Sequence, residues 1–379
     1  MGIQLFTPKF RIEECLNEMR ECLEKGWTGL GYKTVEFEDA WKAYTGHAHA
    51  HFLSSNTVGL HLALHTFKTE YGWADDAEVI TTPLTFVSTN HAILYAGLVP
   101  VFADVDAHLC LDPNSVLKRI TPKTKAILFV GMGGSTGQYE KILKICQKRK
   151  IKLVLDAAHM AGTRLHGAHA GLDADVVIYS FQAVKNLPTA DSGMICFKDA
   201  HFDERVRKLT WLGINKDTYS RTASQGAYKW MYEVEELGFK YHGNSIMAAL
   251  ALVGLRYLDQ DNAYRRQLVN WYRQHLEGVP EIGLIPQAAA CESSTHLFQI
   301  RVENRDTMML ALNKNDIYPG VHYRDNTEYR MYSYARGSCP KAAQASAEVI
   351  SLPMHMDMTA SDVRLICDTL KSVLKQTRA

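Results

Sequence analysis

Residues 152–185 read KLVLDAAHMAGTRLHGAHAGLDADVVIYSFQAVK. Two short apolar runs stand in this stretch. Leu153-Val154-Leu155 ends on Asp156, and Val176-Val177-Ile178-Tyr179 ends on Ser180, with Lys185 close behind. Continuous apolar runs without alternation suit strands covered on both faces, the pattern of a parallel sheet. In an open α/β sheet, ligands bind beyond the carboxyl ends of the strands. The two runs therefore place a carboxylate and a lysine at one edge of one sheet.

Working outward, similar runs predict strands at 51–53, 78–81, 100–103, 126–130 and 194–197. Amphipathic or helix-compatible stretches lie around and between them, at 11–25, 34–45, 57–69, 86–96, 112–119 and 138–149. Strands alternating with helices predict an α/β fold with a mostly parallel, seven-stranded central sheet. After about residue 200 the texture changes. Residues 244–277 read as one long helix, either continuous or broken. A smaller α/β part follows, with strands at 296–302 and 317–323 and helices at 306–314 and 360–376. The expected division is a large domain over 1–250 and a small carboxy-terminal domain over 251–379.

Length and composition agree. At about 150 residues per domain, 379 residues suggest two unequal domains. Hydrophobic residues at 46% and charged residues at 22% exclude a disordered chain or a coiled coil. A net charge of +1 argues against a general nucleic-acid binder. The eight cysteines form no C-x-x-C pair, so neither a zinc ribbon nor a secreted disulfide framework is expected. The first residues lack a signal-peptide core, and no apolar run is long enough to span a membrane. These features predict a cytoplasmic protein with reduced thiols.

Three polar groups fall at strand ends. Ser54-Ser55-Asn56-Thr57 follows the first strand and opens a helix, where backbone N–H groups and hydroxyls can cradle an anion such as phosphate. An ordinary helix cap is the alternative. Asp156 can pair with a protonated ring nitrogen or cap the next segment. Lys185 can form a Schiff base if its ammonium is destabilised, or it can simply be solvated. Their convergence on one sheet edge tips the balance. Phosphate grip, pyridine-nitrogen partner and Schiff-base lysine are what a pyridoxal phosphate site requires. Two other motifs compete. Gly131-Met132-Gly133-Gly134-Ser135-Thr136-Gly137 has the outline of a dinucleotide loop, but its third glycine is one position late. His47, His49 and His51 alternate on one strand face, but no Cys, Asp or Glu joins them, so no metal is expected.

At these residues the chain resembles the DegT/DnrJ/EryC1/StrS sugar aminotransferases. The resemblance runs from Trp27 to Thr359. It is carried in order by Ser54–Leu60, Pro83–Asn90, Pro100–Asp106, Ile120–Ile127, Asp156–His159, Ser180–Leu187 and Ser351–His355. It implies the fold type I, aspartate-aminotransferase-like architecture, pyridoxal 5′-phosphate as cofactor and a homodimer with shared active sites. Lys185 would be the Schiff-base lysine and proton carrier, and Asp156 the partner of the ring nitrogen. His159 would lie by the cofactor ring or its 3-hydroxyl, and Phe86 would stack on the ring face. Ser180 and the region of Ser55, Asn56 and Thr57 would hold the phosphate. Lys240 would reach the neighbouring subunit's site. Arg221, Lys240, His322 and Tyr323 would meet the substrate.

The chain departs from the family at Ala190-Asp191-Ser192-Gly193, where Gly-Glu-Gly-Gly is usual. It departs again at Gly131–Gly134, where His-x-Tyr-Gly is usual, and at Gln182, where His is frequent. These departures bear on substrate choice. The expected activity is transfer of an amino group from an amino acid, L-glutamate as in relatives, to a nucleotide-linked keto-sugar. His159 favours a 4-keto sugar, and the setting would be amino-sugar and surface-glycan biosynthesis. The rival readings are a nicotinamide-dependent oxidoreductase using the 131–137 loop and a non-catalytic sensor on the same fold.

Overall fold

The computed structural model describes residues 2–215 and 232–376. All seven expected strands form one sheet. They are β1 (His51–Leu53), β2 (Glu78–Thr81), β3 (Val99–Phe102), β4 (Thr124–Val130), β5 (Lys152–Asp156), β6 (Val176–Ser180) and β7 (Gly193–Phe197). Their order is β1-β7-β6-β5-β4-β2-β3. Every neighbouring pair is parallel except those made by β7, which runs against both β6 and β1. Asp156 is level with Ile178 in the β5–β6 register, so Asp156 and Ser180 emerge side by side.

The strands are apolar on both faces because both are covered. On one face, Ile127, Phe129, Leu155 and Tyr179 pack with Phe37 and Trp41 of α2 (Tyr32–Thr45). On the other, Leu128, Val154 and Ile178 pack with Leu60 and Leu64 of α3 (Asn56–Tyr71). Each such fully buried side chain contributes roughly 1.5–3 kcal/mol. Gly59 sets the spacing on the second face, since a Cβ there would lie 2.7 Å from Ile178 Cγ2. Any side chain at 59 would push α3 away from the strand whose end carries the site.

Helix α3 starts where the sequence places it. Ser55 is extended and its hydroxyl accepts the Val58 N–H, which is an ordinary N-cap. Gly193 of β7 lies directly beneath: a Cβ there would meet the Asn56 nitrogen at 2.7 Å. The helix start is thereby clamped to the sheet edge.

The carboxy-terminal half keeps the expected long helix and departs from expectation after it. The long helix, Ser245–Leu276, is unbroken and continues through residue 250. Its first half packs into the core of the large sheet through Ala248, Ala251 and Leu252. Its second half packs into a separate core through Leu268, Tyr272 and Leu276. That second core lies against a small antiparallel sheet of Gly283–Leu284, Phe298–Arg301 and Val349–Leu352. The expected strand at 317–323 forms only isolated bridges, Ile317 with Ile3 and Gly320 with Ser351. Pro319 supplies no N–H, and the His322 carbonyl is taken by the Gln299 side chain at 2.6 Å. The segment is thereby diverted from a ladder towards the sheet edge. Helices Ala200–Thr210 and Pro340–Glu348, and the strand after the latter, were not foreseen. No helix among the described residues is long and apolar enough to cross a membrane.

Candidate active site

The carboxyl edge of the sheet opens into a cavity of about 440 Å³. Asp156, His159, Ser180 and Lys185 line it from β5, β6 and the turns after them. Ser55, Asn56 and Thr57 reach it from the start of α3, and Phe86 from the turn before Val87–Tyr95. His322 and Tyr323 close it from the diverted carboxy-terminal segment. Phe86 is 58% exposed and forms an open lip. Lys240 lies elsewhere, exposed, with its ammonium 3.0 Å from the centre of the Trp211 ring. Arg221 lies outside the described residues.

Asp156 is buried and held from three directions. The Thr89 hydroxyl donates to Oδ2 at 2.9 Å, and the Ala158 N–H and Asn56 Nδ2 donate to Oδ1 at 3.1 and 3.3 Å. Burial pushes its pKa up, and these donors, with the Lys185 ammonium, oppose the rise. A cation set against this carboxylate would therefore be strongly favoured. The Asn56 side chain also donates to the Ile178 carbonyl, so it braces the sheet edge rather than facing a phosphate. What the start of α3 leaves for an anion is its first-turn N–H groups.

The Lys185 N–H donates to the Gln182 carbonyl at 2.8 Å, but its side-chain amine makes no hydrogen bond or ion pair among the described residues. Burial drives its ammonium down to about 8, with Asp156 acting in the opposite sense. His159 is buried and neutral. Burial first, then the nearby Lys185 and His322, hold its pKa well below the usual value. Its tautomer is fixed: Nδ1 accepts the Gly133 N–H at 3.2 Å, so Nε2 carries the hydrogen and donates to the Tyr323 hydroxyl at 3.1 Å.

That bond also disposes of the dinucleotide reading of residues 131–137. Met132–Gly134 is a single 3₁₀ turn. The Gly133 N–H is given to His159, the Gly134 N–H to the Gly131 carbonyl and the Ser135 N–H to the Met132 carbonyl. No cradle of free amides remains for a pyrophosphate. Of the three alternating histidines only His51 lies in a strand, and two of them are spent on structure. His51 bonds Glu38 and Thr210, and His47 bonds the Tyr179 hydroxyl.

Sequence reasoning missed several groups that line the cavity, notably Thr89, Ser192 and His296. Thr89 was legible in principle, one helical turn beyond Phe86 on the face turned to the sheet. His296 was not, because it reaches the site from the distant carboxy-terminal half.

The residues fit pyridoxal phosphate: a free amine near neutrality, a fixed carboxylate for a cationic ring nitrogen, and a helix start for the phosphate. Comparison with known proteins points the same way. Residues 10–371 match the model of the DegT/DnrJ/EryC1/StrS aminotransferase family. The uncharacterized protein MJ1066 of Methanocaldococcus jannaschii is 31% identical over 98% of this chain and 99% of its own. The aminotransferase TlmJ of Streptoalloteichus hindustanus superposes with a TM-score of 0.91 at 30% identity, covering 100% of both chains. The PLP form of the putative sugar aminotransferase Spr1654 of Streptococcus pneumoniae gives 0.89 at 26% identity, covering 99% of both. The fold and the site define a pyridoxal-phosphate-dependent aminotransferase of fold type I. The chain belongs to the DegT/DnrJ/EryC1/StrS aminotransferase family.

The depressed Lys185 has a measurable consequence. If Lys185 is the residue that captures the cofactor, its neutral form would be the reactive one. Below its pKa, the rate of cofactor capture by the apoprotein should rise about tenfold per pH unit. It should then level off above pH of about 8. Stopped-flow absorbance at a series of pH values checks this, and a rate still climbing at pH of about 10, as for a solvated lysine, would contradict it.

Proposed function

We propose that this protein transfers an amino group from L-glutamate to a nucleotide-linked keto-sugar, with a 4-keto sugar preferred, in the making of an amino sugar for a surface glycan. The observation that carries the sugar reading is the character of the cavity. Among its described lining residues Lys185 is the one lysine, and no arginine is present. The remaining polar groups are hydroxyls, amides, neutral histidines and two carboxylates. Such a lining suits the uncharged, hydroxyl-bearing ring of a sugar better than the second carboxylate of a 2-oxo dicarboxylic acid.

Lys185, Asp156, Ser180 and the first turn of α3 would hold the cofactor, with Phe86 against its ring and His159 beside it. Bound there, the cofactor supplies an electron sink for charge developing on the carbon next to the transferred nitrogen. Asp156 keeps a proton on the ring nitrogen, which makes that sink effective. Lys185 Nζ takes the proton from the α-carbon of the amino donor. In the second half of the cycle it delivers a proton to the sugar carbon that gains nitrogen. Its lowered pKa suits both tasks near neutral pH. His322 and Tyr323 face the acceptor.

The protein works as a homodimer with shared sites in this reading. Lys240 points away from its own cavity, on a segment that exposes Val234 and Leu237, and in a dimer it would serve the neighbouring site together with Arg221. The test is incubation of the cofactor-loaded protein with L-glutamate and a panel of UDP-, dTDP-, GDP- and CMP-linked keto-sugars. The expected result is an amino-sugar product by mass spectrometry, matched by 2-oxoglutarate. Cofactor retention with no amino product from any member would support a sensor instead.

A further inference from the structure

His296 is buried in the wall of the cavity, and its hydrogen bonds can be assigned without ambiguity. Asn262 Nδ2 donates to the Ala161 carbonyl at 2.9 Å, which makes Asn262 Oδ1 an acceptor. Asn186 Nδ2 donates to that oxygen at 2.8 Å and to the Ser294 carbonyl at 2.7 Å. Both contacts require an N–H, so Asn186 Oδ1 is an acceptor too. It lies 2.9 Å from His296 Nδ1, which must therefore carry the hydrogen. Two main-chain carbonyls thus fix the tautomer through two asparagines. The ring is further held by stacking on Phe6, with centroids 5.4 Å apart and planes 8° from parallel, and by His159 on its other side at 4.4 Å.

The other nitrogen, Nε2, makes no hydrogen bond among the described residues and is not sealed off from the cavity. It presents a lone pair beside Lys185. Burial first, then the neighbouring His159, Lys185, Arg265 and His322, keep the ring neutral. A fixed acceptor of this kind repels carboxylate and phosphate oxygens and requires an O–H or N–H from whatever binds. The transferred nitrogen is occupied with the cofactor during the reaction. A keto-sugar brings such a donor next to its reacting carbonyl, as the neighbouring hydroxyl.

We propose that His296 Nε2 is a specificity-determining acceptor that takes a hydrogen bond from the sugar hydroxyl adjacent to the keto group. The proposal rests on the keto-sugar reading above. The experiment compares wild type, His296→Phe and His296→Gln with three probes. They are UDP- or dTDP-linked 4-keto-6-deoxyglucose, the corresponding 3-deoxy sugar, and carbon-13-labelled 2-oxoglutarate, each with unlabelled L-glutamate as amino donor, so that amination of the last is read as labelled glutamate. Wild type should favour the 3-hydroxyl sugar by roughly tenfold in kcat/KM. His296→Phe keeps a ring against Phe6 but no lone pair. It should raise KM for the hydroxylated sugar by roughly tenfold, lose the discrimination, and leave the reaction with 2-oxoglutarate within about twofold. His296→Gln, which can offer a carbonyl oxygen, should recover most of the loss.

Equal use of the two sugars by wild type overturns the proposal whatever the variants do. So does a loss in His296→Phe that falls equally on sugar and 2-oxo acid, or a Gln variant no better than Phe. Wild type that aminates 2-oxoglutarate and neither sugar overturns the keto-sugar reading beneath it, and the proposal with it.

Discussion

Lys185→Ala should abolish multiple-turnover aminotransfer, lowering kcat by on the order of 10⁴, near the upper end for loss of a proton carrier. The expectation follows from position. Lys185 is the one lysine among the described residues that line the cavity, and its amine is bound by no neighbour. Its ammonium is destabilised to about 8. His159, the histidine that follows Asp156, cannot replace it. His159 has Nδ1 occupied by the Gly133 N–H and its Nε2 hydrogen given to Tyr323. The variant should fold normally, since removing a destabilised buried charge relieves a cost of folding. It should still take up cofactor through the phosphate and ring contacts, without a covalent link. Steady-state assay after gel filtration checks this. Repeated cycles at near wild-type rate would place the proton carrier elsewhere.

Asp156→Asn should lower kcat by on the order of 10²–10³, the scale on which a preorganised electrostatic partner acts. The shape of the site should survive. The Thr89 hydroxyl can turn to accept from the new amide, and the Ala158 N–H can still donate to the remaining oxygen. What would be lost is the negative charge that, in the proposed function, keeps a proton on the ring nitrogen. Cofactor content should therefore fall much less than turnover. Parallel measurement of cofactor absorbance and kcat separates the two, and unchanged turnover would remove the role assigned to Asp156.

The parts of the structure legible in the sequence are those that local pattern controls. Leu153–Asp156 and Val176–Ser180 could be read as neighbouring buried strands because both faces of the sheet are covered. Strand ends then placed Asp156, Ser180 and Lys185 together. The cap at Ser55 was equally local. The 317–323 strand was misjudged because its apolar residues were read without its partners. Pro319 and the claim of Gln299 on the His322 carbonyl decide its course. His296, and the bond that gives Thr89 its role, were missed for a related reason. Each matters through a side-chain bond to a residue far away in sequence, which periodicity cannot register. The glycine loop at 131–137 misled in the opposite direction. Its composition suggests a phosphate cradle, yet its amides are consumed by its own turn and by His159.

The central claim is that Lys185 is the residue through which this chain holds its cofactor and moves the proton. Borohydride reduction of the loaded protein, followed by digestion and mass spectrometry, tests it most directly. One pyridoxyl-phosphate adduct per chain should appear, on the peptide containing Ser180–Lys185 and at Lys185 itself. An adduct on another lysine, or none on a protein that transfers amino groups, would contradict the account.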